Sequence, residues 1–175
     1  AVTISTPDHM HAIQAIAAMQ RGINVYVQKP LTHNIREARM LTEMARENKI
    51  VTQMGNQGAS NSGMTKVQEW FNDGKIGTVD EVFVWTNRPV WPQGIPVPKP
   101  TGSSSPDHLD WDLWLGTAPE IPYSDAYHPF NWRGWWAYGT GALGDMGCHI
   151  IDVPFKTLGL NYPTGVECSV GQVFI

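Results

Sequence analysis

The sequence contains few cysteines, few charged residues and no long apolar run, and each of these features excludes a class of protein. Two cysteines in 175 residues, Cys148 and Cys168, cannot build a disulfide framework or a cysteine-rich zinc site, and they leave the redox compartment open. Charged residues make up 16% of the chain, and the formal net charge of −4 comes without a basic run. This balance argues against nucleic acid or an anionic membrane surface as a partner. No apolar run approaches the roughly 20 residues of a transmembrane helix.

The chain begins within a strand-like run, "AVTIST", without an initiator methionine or a targeting segment. Its last ten residues, "VECSVGQVFI", are predicted to be β-rich. We therefore expect an internal fragment of a longer protein, and the localisation stays open.

Strands and helices alternate in the first third of the sequence. The helix signals are an apolar stripe of Ile13, Ile16, Ala17 and Met19 that ends near Gly22, with "STPD" as its cap and first turn, and a second helix from about Asn34 to Asn48. The predicted strands that flank them are "AVTIST", "NVYVQKP" and "KIVTQMG". This alternation predicts a parallel α/β sheet with the three strands as neighbours.

After residue 55 the sequence becomes richer in glycine, proline and tryptophan. We predict a capped helix in "SNSGMTKVQEWFNDGKIG", a long strand in "TVDEVFVWTN", a loop over 89–108, a short helix in "DHLDWDLWLG" and an irregular aromatic stretch, "YHPFNWRGWWAYGTG". Most of the eight tryptophans lie between Trp85 and Trp136, and we expect them to line one surface.

The segment "GTGALGDMGCHIID", residues 139–152, concentrates reactive side chains. In a helix that begins near Gly144, Asp145, His149 and Asp152 share one face, and a carboxylate one turn from an imidazole forms a general acid/base unit. Gly144 and Gly147 would let a ligand approach the backbone there. The alternative is an N-terminal capping aspartate and a buried, satisfied histidine.

Lys29 follows a β-branched strand and precedes Pro30. It should therefore lie at the carboxyl end of a parallel strand, where open α/β sheets bind ligands. A solvated lysine at a strand end is the alternative.

No metal is expected. His9 with His11, or Cys148 with His149 and Asp152, offers ligating atoms. Adjacent residues on a helix point apart, however, and no ligand set has zinc-like spacing.

Taken in order, "STPDHMHA", "VYVQKPL" and "GALGDMGCHIID" resemble the Gfo/Idh/MocA family of NAD(P)-dependent oxidoreductases. "FNDGKIGTVDEV" and "DWDLWLG" extend the resemblance over essentially the whole chain, and "WRGWWAYGTG" is similar to the branch with carbohydrate-type substrates. The family's Glu-Lys-Pro appears as Gln28-Lys29-Pro30, and its Asp-x-x-x-His pair falls on Asp145 and His149.

The resemblance implies an α/β fold in two parts. Residues 1–56 would be the C-terminal part of a dinucleotide-binding Rossmann domain whose glycine-rich turn lies upstream of Ala1. Residues 57–175 would form an incomplete α/β substrate domain with an open sheet. The implied cofactor is NAD or NADP, which the 175 residues alone should not bind well.

The resemblance also implies the site. Lys29 would bind the cofactor and polarise the reacting oxygen, His149 would remove the hydroxyl proton, and Asp145 would orient both substrate and histidine. We expect Lys29 and His149 to converge on one cleft between the domains, and the Lys29–Pro30 peptide to be cis. The expected cofactor-binding residues are Ser5, Thr6, Pro7, His11, Gln28, Lys29 and Pro30, and the expected substrate-binding residues are Asn56, Gln57, Trp132, Arg133, Trp136 and Asp145.

The implied activity is hydride transfer between a hydroxyl carbon of a sugar or polyol and the nicotinamide, in a homo-oligomeric enzyme. Two alternatives stay open. One is an NAD-dependent glycosidase that oxidises its substrate transiently, and the other is a non-catalytic member that binds a carbohydrate or nucleotide.

Overall fold

The computed structural model describes residues 1–100, 102, 104–169 and 171. The chain forms two compact units. The first combines Ala1–Asn56 with Asn87–Cys148, and the second combines Gln57–Thr86 with the described residues from His149 onward.

A three-stranded parallel sheet organises the first unit. Its strands are β1 (Val2–Ile4), β2 (Val25–Gln28) and β3 (Thr52–Gly55), in the order β1-β2-β3. Val27 of β2 is in register with Ile4 on one side and with Met54 on the other. The expectation of three parallel neighbours with their carboxyl ends at one edge is confirmed.

Two helices form the crossovers of this sheet. Helix α1 spans Asp8–Met19, helix α2 spans Ile35–Glu47, and the two pack against each other. In β2, the side chains of Val25 and Val27 are 4% and 1% exposed, whereas Tyr26 between them is 37% exposed. One sheet face is therefore covered. The apolar core beneath the helices consists of Ile4, Ala15, Met19, Val25, Val27 and Leu41.

The buried face of α1 differs from the predicted stripe. Ile13 is 44% exposed and Ala17 is also exposed, whereas the buried side chains include His11, Ala12 and Ala15. The polar side chains in the first turns of α1 have hydrogen-bond partners inside the unit, so they are buried in place of apolar ones. The predicted side-chain cap is also absent, because the N-cap position is Pro7.

The rest of the first unit is built around aromatic side chains. It contains the short helix α4 (Trp111–Leu115), a 3₁₀ turn over Asn131–Gly134 and most of helix α5 (Gly141–Ile150). A second core consists of Leu115, Tyr127, Trp132, Trp135 and Tyr138. The expectation that the tryptophans line one surface is therefore wrong for Trp132 and Trp135, because neighbouring rings cover them.

The second unit pairs helix α3 (Ser62–Asn72), which follows a 3₁₀ turn over Gln57–Ser60, with helix α6 (Asp152–Thr157). The strand predicted for 78–87 does not form. Val82, Phe83 and Val84 line an apolar cavity beside α3 and α6, and the side chains of Phe83 and Trp85 are 73% and 80% exposed. A strand needs a hydrogen-bonded partner, and no described segment supplies one.

The structure corrects two further expectations about the C-terminal part. Helix α5 begins at Gly141, three residues before the predicted start, and it ends at Ile150, so Asp152 begins α6 instead of sharing the α5 face. Of the predicted β-rich end, residues 166–169 and 171 form no strand, and the others lie outside the described residues. No helix in the described residues is long and apolar enough to span a membrane.

Candidate functional site

A cavity of about 460 Å³ opens at the carboxyl edge of the sheet, within the first unit. One wall comes from the residues that end or follow β1 and β2, and the other comes from α4, the aromatic segment before α5 and the first turns of α5. The lining residues are Ser5, Thr6, Pro7, Asp8, His11, Gln28, Lys29, Trp114, His128, Pro129, Phe130, Trp132, Arg133 and Asp145.

An ion pair between Lys29 and Asp145 joins the two walls. The Lys29 Nζ donates to Asp145 Oδ1 over 2.7 Å and to the Asp145 carbonyl oxygen over 3.0 Å. The two side chains are only 21% and 15% exposed, so solvent screens the pair weakly. Lys29 is thus not a solvated lysine, and Asp145 is the fifth residue of α5 and not its cap.

Arg133 adds a second cation beside Asp145. Its Nε lies 3.8 Å from Asp145 Oδ1, and its guanidinium carbon lies 4.3 Å and 4.6 Å from the ring centroids of Trp132 and Phe130. One of its terminal nitrogens donates to the Phe130 carbonyl oxygen over 3.0 Å. These contacts hold the guanidinium in one orientation on the cavity wall.

Asp8 anchors the lead-in to α5. Its Oδ2 accepts hydrogen bonds from the backbone nitrogen and the hydroxyl of Thr140, at 3.1 Å and 2.9 Å. Burial raises the pKa of Asp8, and the bonds from Thr140 partly offset this effect.

A Cβ on Gly144 would overlap the Thr140 side chain. The space at Gly144 therefore admits Thr140 and not a ligand, contrary to expectation.

Two buried histidines on α1 bond to backbone carbonyls. The His11 Nδ1 lies 2.7 Å from the Pro30 oxygen, and its Nε2 lies 2.7 Å from the Thr6 oxygen. The His9 Nδ1 lies 3.2 Å from the Tyr138 oxygen, and its Nε2 lies 3.1 Å from the Leu115 oxygen. Burial lowers the pKa of His9.

The Gln28 side chain lies over the backbone of β3. A Cβ on Gly55 would come within 2.8 Å of the Gln28 Oε1, so Gly55 is needed for this close approach. The same oxygen lies 3.3 Å from the Lys29 backbone nitrogen, which donates to it. Gln28 is therefore held beside Lys29 through the backbone.

The structure brings together nine of the residues proposed from the sequence. Ser5, Thr6, Pro7, His11, Gln28, Lys29, Trp132, Arg133 and Asp145 all line the one cavity. The Lys29–Pro30 peptide is cis, as expected. The assignment of these residues to a cofactor or a substrate stays a prediction.

The remaining proposed residues do not line this cavity. Asn56 is buried, and its Nδ2 donates to the Cys148 carbonyl oxygen over 2.6 Å. Trp136 is 71% exposed, and its ring centroid lies 4.9 Å from that of His33. Gln57 and His149 belong to the second unit, and His149 follows Asp145 by one turn of α5.

Sequence reasoning missed part of the cavity wall. Asp8, Trp114 and the segment 128–130 line the cavity but are not among the site residues predicted from the sequence. The irregular "YHPFNWRG" run was the available signal, because loops held on a rigid scaffold carry many binding residues. No three His, Cys, Asp or Glu side chains of the described residues are grouped as a metal site would need.

Comparison with known proteins identifies relatives of both parts of the chain. Residues 1–56 match the model of an oxidoreductase family NAD-binding Rossmann fold, and residues 82–171 match the model of the same family's C-terminal alpha/beta domain. The levoglucosan dehydrogenase of Pseudarthrobacter phenanthrenivorans is 25% identical over 159 residues, which are 90% of this chain and 33% of that protein. The 2,7-anhydro-N-acetylneuraminate hydratase of Mediterraneibacter gnavus is 27% identical over 45% of this chain and 21% of its own length.

Among solved structures, an NAD binding oxidoreductase from Klebsiella pneumoniae superimposes with a TM-score of 0.55. It is 26% identical and covers 90% of this chain and 34% of its own. The chain spans about a third or less of the length of the curated relatives it matches. Since the two family models follow one another along the chain and together match most of it, the chain belongs to the Gfo/Idh/MocA family of oxidoreductases.

Proposed function

We propose that the full-length protein transfers a hydride between a hydroxyl-bearing carbon of a sugar or polyol and NAD or NADP. The ion pair of Lys29 and Asp145 on the cavity wall carries this proposal. It places a cation and a carboxylate, from segments more than a hundred residues apart, beside the edge where parallel α/β sheets bind ligands.

The cavity suits a nicotinamide ring and a small substrate. Its volume of about 460 Å³ is within the usual range for small-molecule sites. The nicotinamide end of the cofactor would be held by four residues that end or follow neighbouring strands, namely Thr6, Pro7, Gln28 and Lys29. When bound, the nicotinamide supplies the hydride chemistry, and the protein supplies orientation and proton transfer.

Lys29 would stabilise the reacting oxygen. Its ammonium carries three protons, and the two hydrogen bonds to Asp145 leave one for a substrate oxygen. A cation held at that point favours the negative charge that develops as the hydroxyl proton leaves. Asp145 fixes the direction of the ammonium.

His149 would accept the hydroxyl proton. It lies on α5 one turn after Asp145, and an imidazole accepts protons at neutral pH. Asp145 would orient the substrate hydroxyl beside Lys29. Arg133 would contact the sugar, because a guanidinium donates to hydroxyl groups, and Trp132 beneath it would hold the guanidinium in place.

The activity is tested on the full-length protein with NAD or NADP and a panel of sugars and polyols that includes levoglucosan and myo-inositol. We expect net formation of reduced nicotinamide in step with an oxidised product. Release of an aglycone without net reduction would instead support the glycosidase alternative. Neither reduction nor release with any member of a broad panel would overturn the proposal.

Two variants test the assigned roles. His149→Ala should lower kcat by about a hundredfold to ten-thousandfold without changing cofactor affinity. Lys29→Ala should lower both kcat and cofactor affinity, since the same ammonium would contact the reacting oxygen and the cofactor. The matched controls are His108→Ala and Lys75→Ala, which remove exposed side chains and should leave both quantities unchanged. A folded His149→Ala protein with wild-type kcat would contradict the assignment of the base.

A further inference from the structure

The two turns that carry the proposed cofactor contacts share one buried bonding partner, His11. Thr6 and Pro7 follow β1, and Lys29 and Pro30 follow β2. The His11 ring lies between these turns, 1% exposed, with one nitrogen 2.7 Å from the Thr6 oxygen and the other 2.7 Å from the Pro30 oxygen.

Both partners of His11 are carbonyl oxygens, which only accept hydrogen bonds. An imidazole ring with two N–H groups can donate to both carbonyl oxygens at once. A ring with a single N–H group can donate to only one of the two turns. Both His11 contacts, at 2.7 Å, are shorter than the 3.1–3.3 Å contacts that His9 makes with its carbonyl oxygens. Asp8, buried one turn earlier on the same helix, interacts electrostatically with His11.

With both nitrogens bonded to backbone oxygens, His11 has no donor left for a ligand. The His11 ring lines the cavity but offers it no free ring nitrogen, so its polar influence on a ligand passes through the Thr6 and Pro30 carbonyls. Each of these adjoins a residue that lines the cavity, Pro7 in one turn and Lys29 in the other.

We propose that His11 is a positioning residue, which fixes the spacing of the Thr6–Pro7 and Lys29–Pro30 turns and thereby sets the affinity for the nicotinamide cofactor. This inference rests on the proposed function for its cofactor part. It replaces direct contact by His11, the expectation from the sequence, with action through two backbone carbonyls.

Three substitutions separate the two bonds. In His11→Asn the side-chain nitrogen can take the place of Nδ1, which keeps the bond to Pro30 and removes the bond to Thr6. In His11→Gln the side-chain nitrogen can take the place of Nε2, which keeps the bond to Thr6 and removes the bond to Pro30. His11→Phe removes both bonds and leaves a ring in the space.

The control is Met19→Ala, at the far end of the same helix. Met19 is 1% exposed in the apolar core, so truncating it should lower the stability of the protein without touching either turn. Any effect shared by Met19→Ala and the His11 variants is therefore a general loss of stability.

The first measurement is NADH binding by fluorescence titration of the full-length protein, with steady-state kinetics beside it. We expect the dissociation constant to rise on the order of tenfold in His11→Phe, comparable to the loss of metal affinity when a residue that orients a metal ligand is removed, and less in His11→Asn and His11→Gln. Met19→Ala should bind NADH like the wild type. In the kinetics, the KM for the cofactor should rise in step with the dissociation constant. Equal affinity in the wild type and His11→Phe overturns the inference while the proposed function stands.

The second measurement is hydrogen exchange of the backbone amides in the two turns, which requires no cofactor. Exchange should accelerate in both turns in His11→Phe, in the Thr6 turn in His11→Asn, and in the Lys29 turn in His11→Gln, beyond any change in Met19→Ala. If the wild type binds no nicotinamide cofactor, the proposed function falls and exchange decides the positioning role. If amide exchange in both turns of His11→Phe matches that of Met19→Ala, the positioning role of His11 is overturned.

Discussion

At the scale of single residues, the first turns of α1 determine how the cavity is held. Asp8, His9 and His11 are 6%, 5% and 1% exposed, and each bonds to a different part of the first unit. Buried polar groups cost free energy unless they are hydrogen-bonded, so these bonds explain why α1 buries polar side chains and exposes Ile13.

His9 should make the protein less stable in mild acid. Burial lowers its pKa from the ordinary 6.5 and outweighs the carbonyls that raise it. Below pH 6.5 the unfolded chain takes up a proton that the folded protein does not, so this contribution to stability is present above pH 6.5 and lost as the pH falls through the folded pKa. In His9→Gln that part of the acid dependence should disappear. Urea unfolding from about pH 7 to 5 measures it, and an identical pH slope in both proteins would contradict the prediction.

At the scale of elements, local capping chemistry determines where helices α2 and α3 begin. Helix α2 starts at Asn34 with a complete capping box, in which the Asn34 side chain accepts from the Glu37 backbone nitrogen over 3.0 Å and the Glu37 carboxylate accepts from the Asn34 nitrogen. Helix α3 has Asn61 as its cap. Both helices match their predicted extents, because the signals lie within a few residues of the ends.

Asn34→Ala should destabilise the first unit by about 1 kcal/mol, since it leaves orphan backbone donors in the first turn of α2. Asn34→Asp retains an acceptor at the same place and should lose only a few tenths of a kcal/mol. Chemical denaturation of the three proteins is the measurement. Equal loss in both variants would show that the cap hydrogen bond does not stabilise the helix.

At the scale of the whole molecule, the first unit is assembled from two segments that are distant in sequence. Bonds from Lys29 to Asp145, from Thr140 to Asp8 and from Asn56 to the Cys148 carbonyl join them. The sheet and the aromatic core therefore depend on each other. Removing one of these bonds should weaken both segments.

Asp145→Asn should lower the free energy of unfolding by about 1–3 kcal/mol, because it leaves the partly buried Lys29 ammonium without its counter-charge. Asp73→Asn is the matched control, since it breaks an ion pair with Lys75 in which both side chains are more than half exposed. That pair should contribute less than about 1 kcal/mol. Hydrogen exchange of the β1–β3 amides, which lie in the other segment from Asp145, reports the loss. Unchanged protection of these strands would contradict the coupling.

The sequence by itself determined the order of elements in residues 1–56, the parallel sheet, the caps of α2 and α3, and the position of Lys29 at a strand end. These follow from periodicity, caps and turn residues, all of which act within a few positions along the chain. The motifs also placed Lys29 and Asp145 in one site, and the two residues do meet.

Only the tertiary structure decided which faces are buried and which groups bond across the unit. Ile13 and Trp136 are exposed, Trp132 and Trp135 are buried, and residues 78–87 form no strand. Burial and strand pairing depend on what packs alongside, which local pattern does not encode. The same holds for His11, because nothing in "DHMHA" specifies that its two ring nitrogens face carbonyls from two different turns, one of them nineteen residues further along the chain.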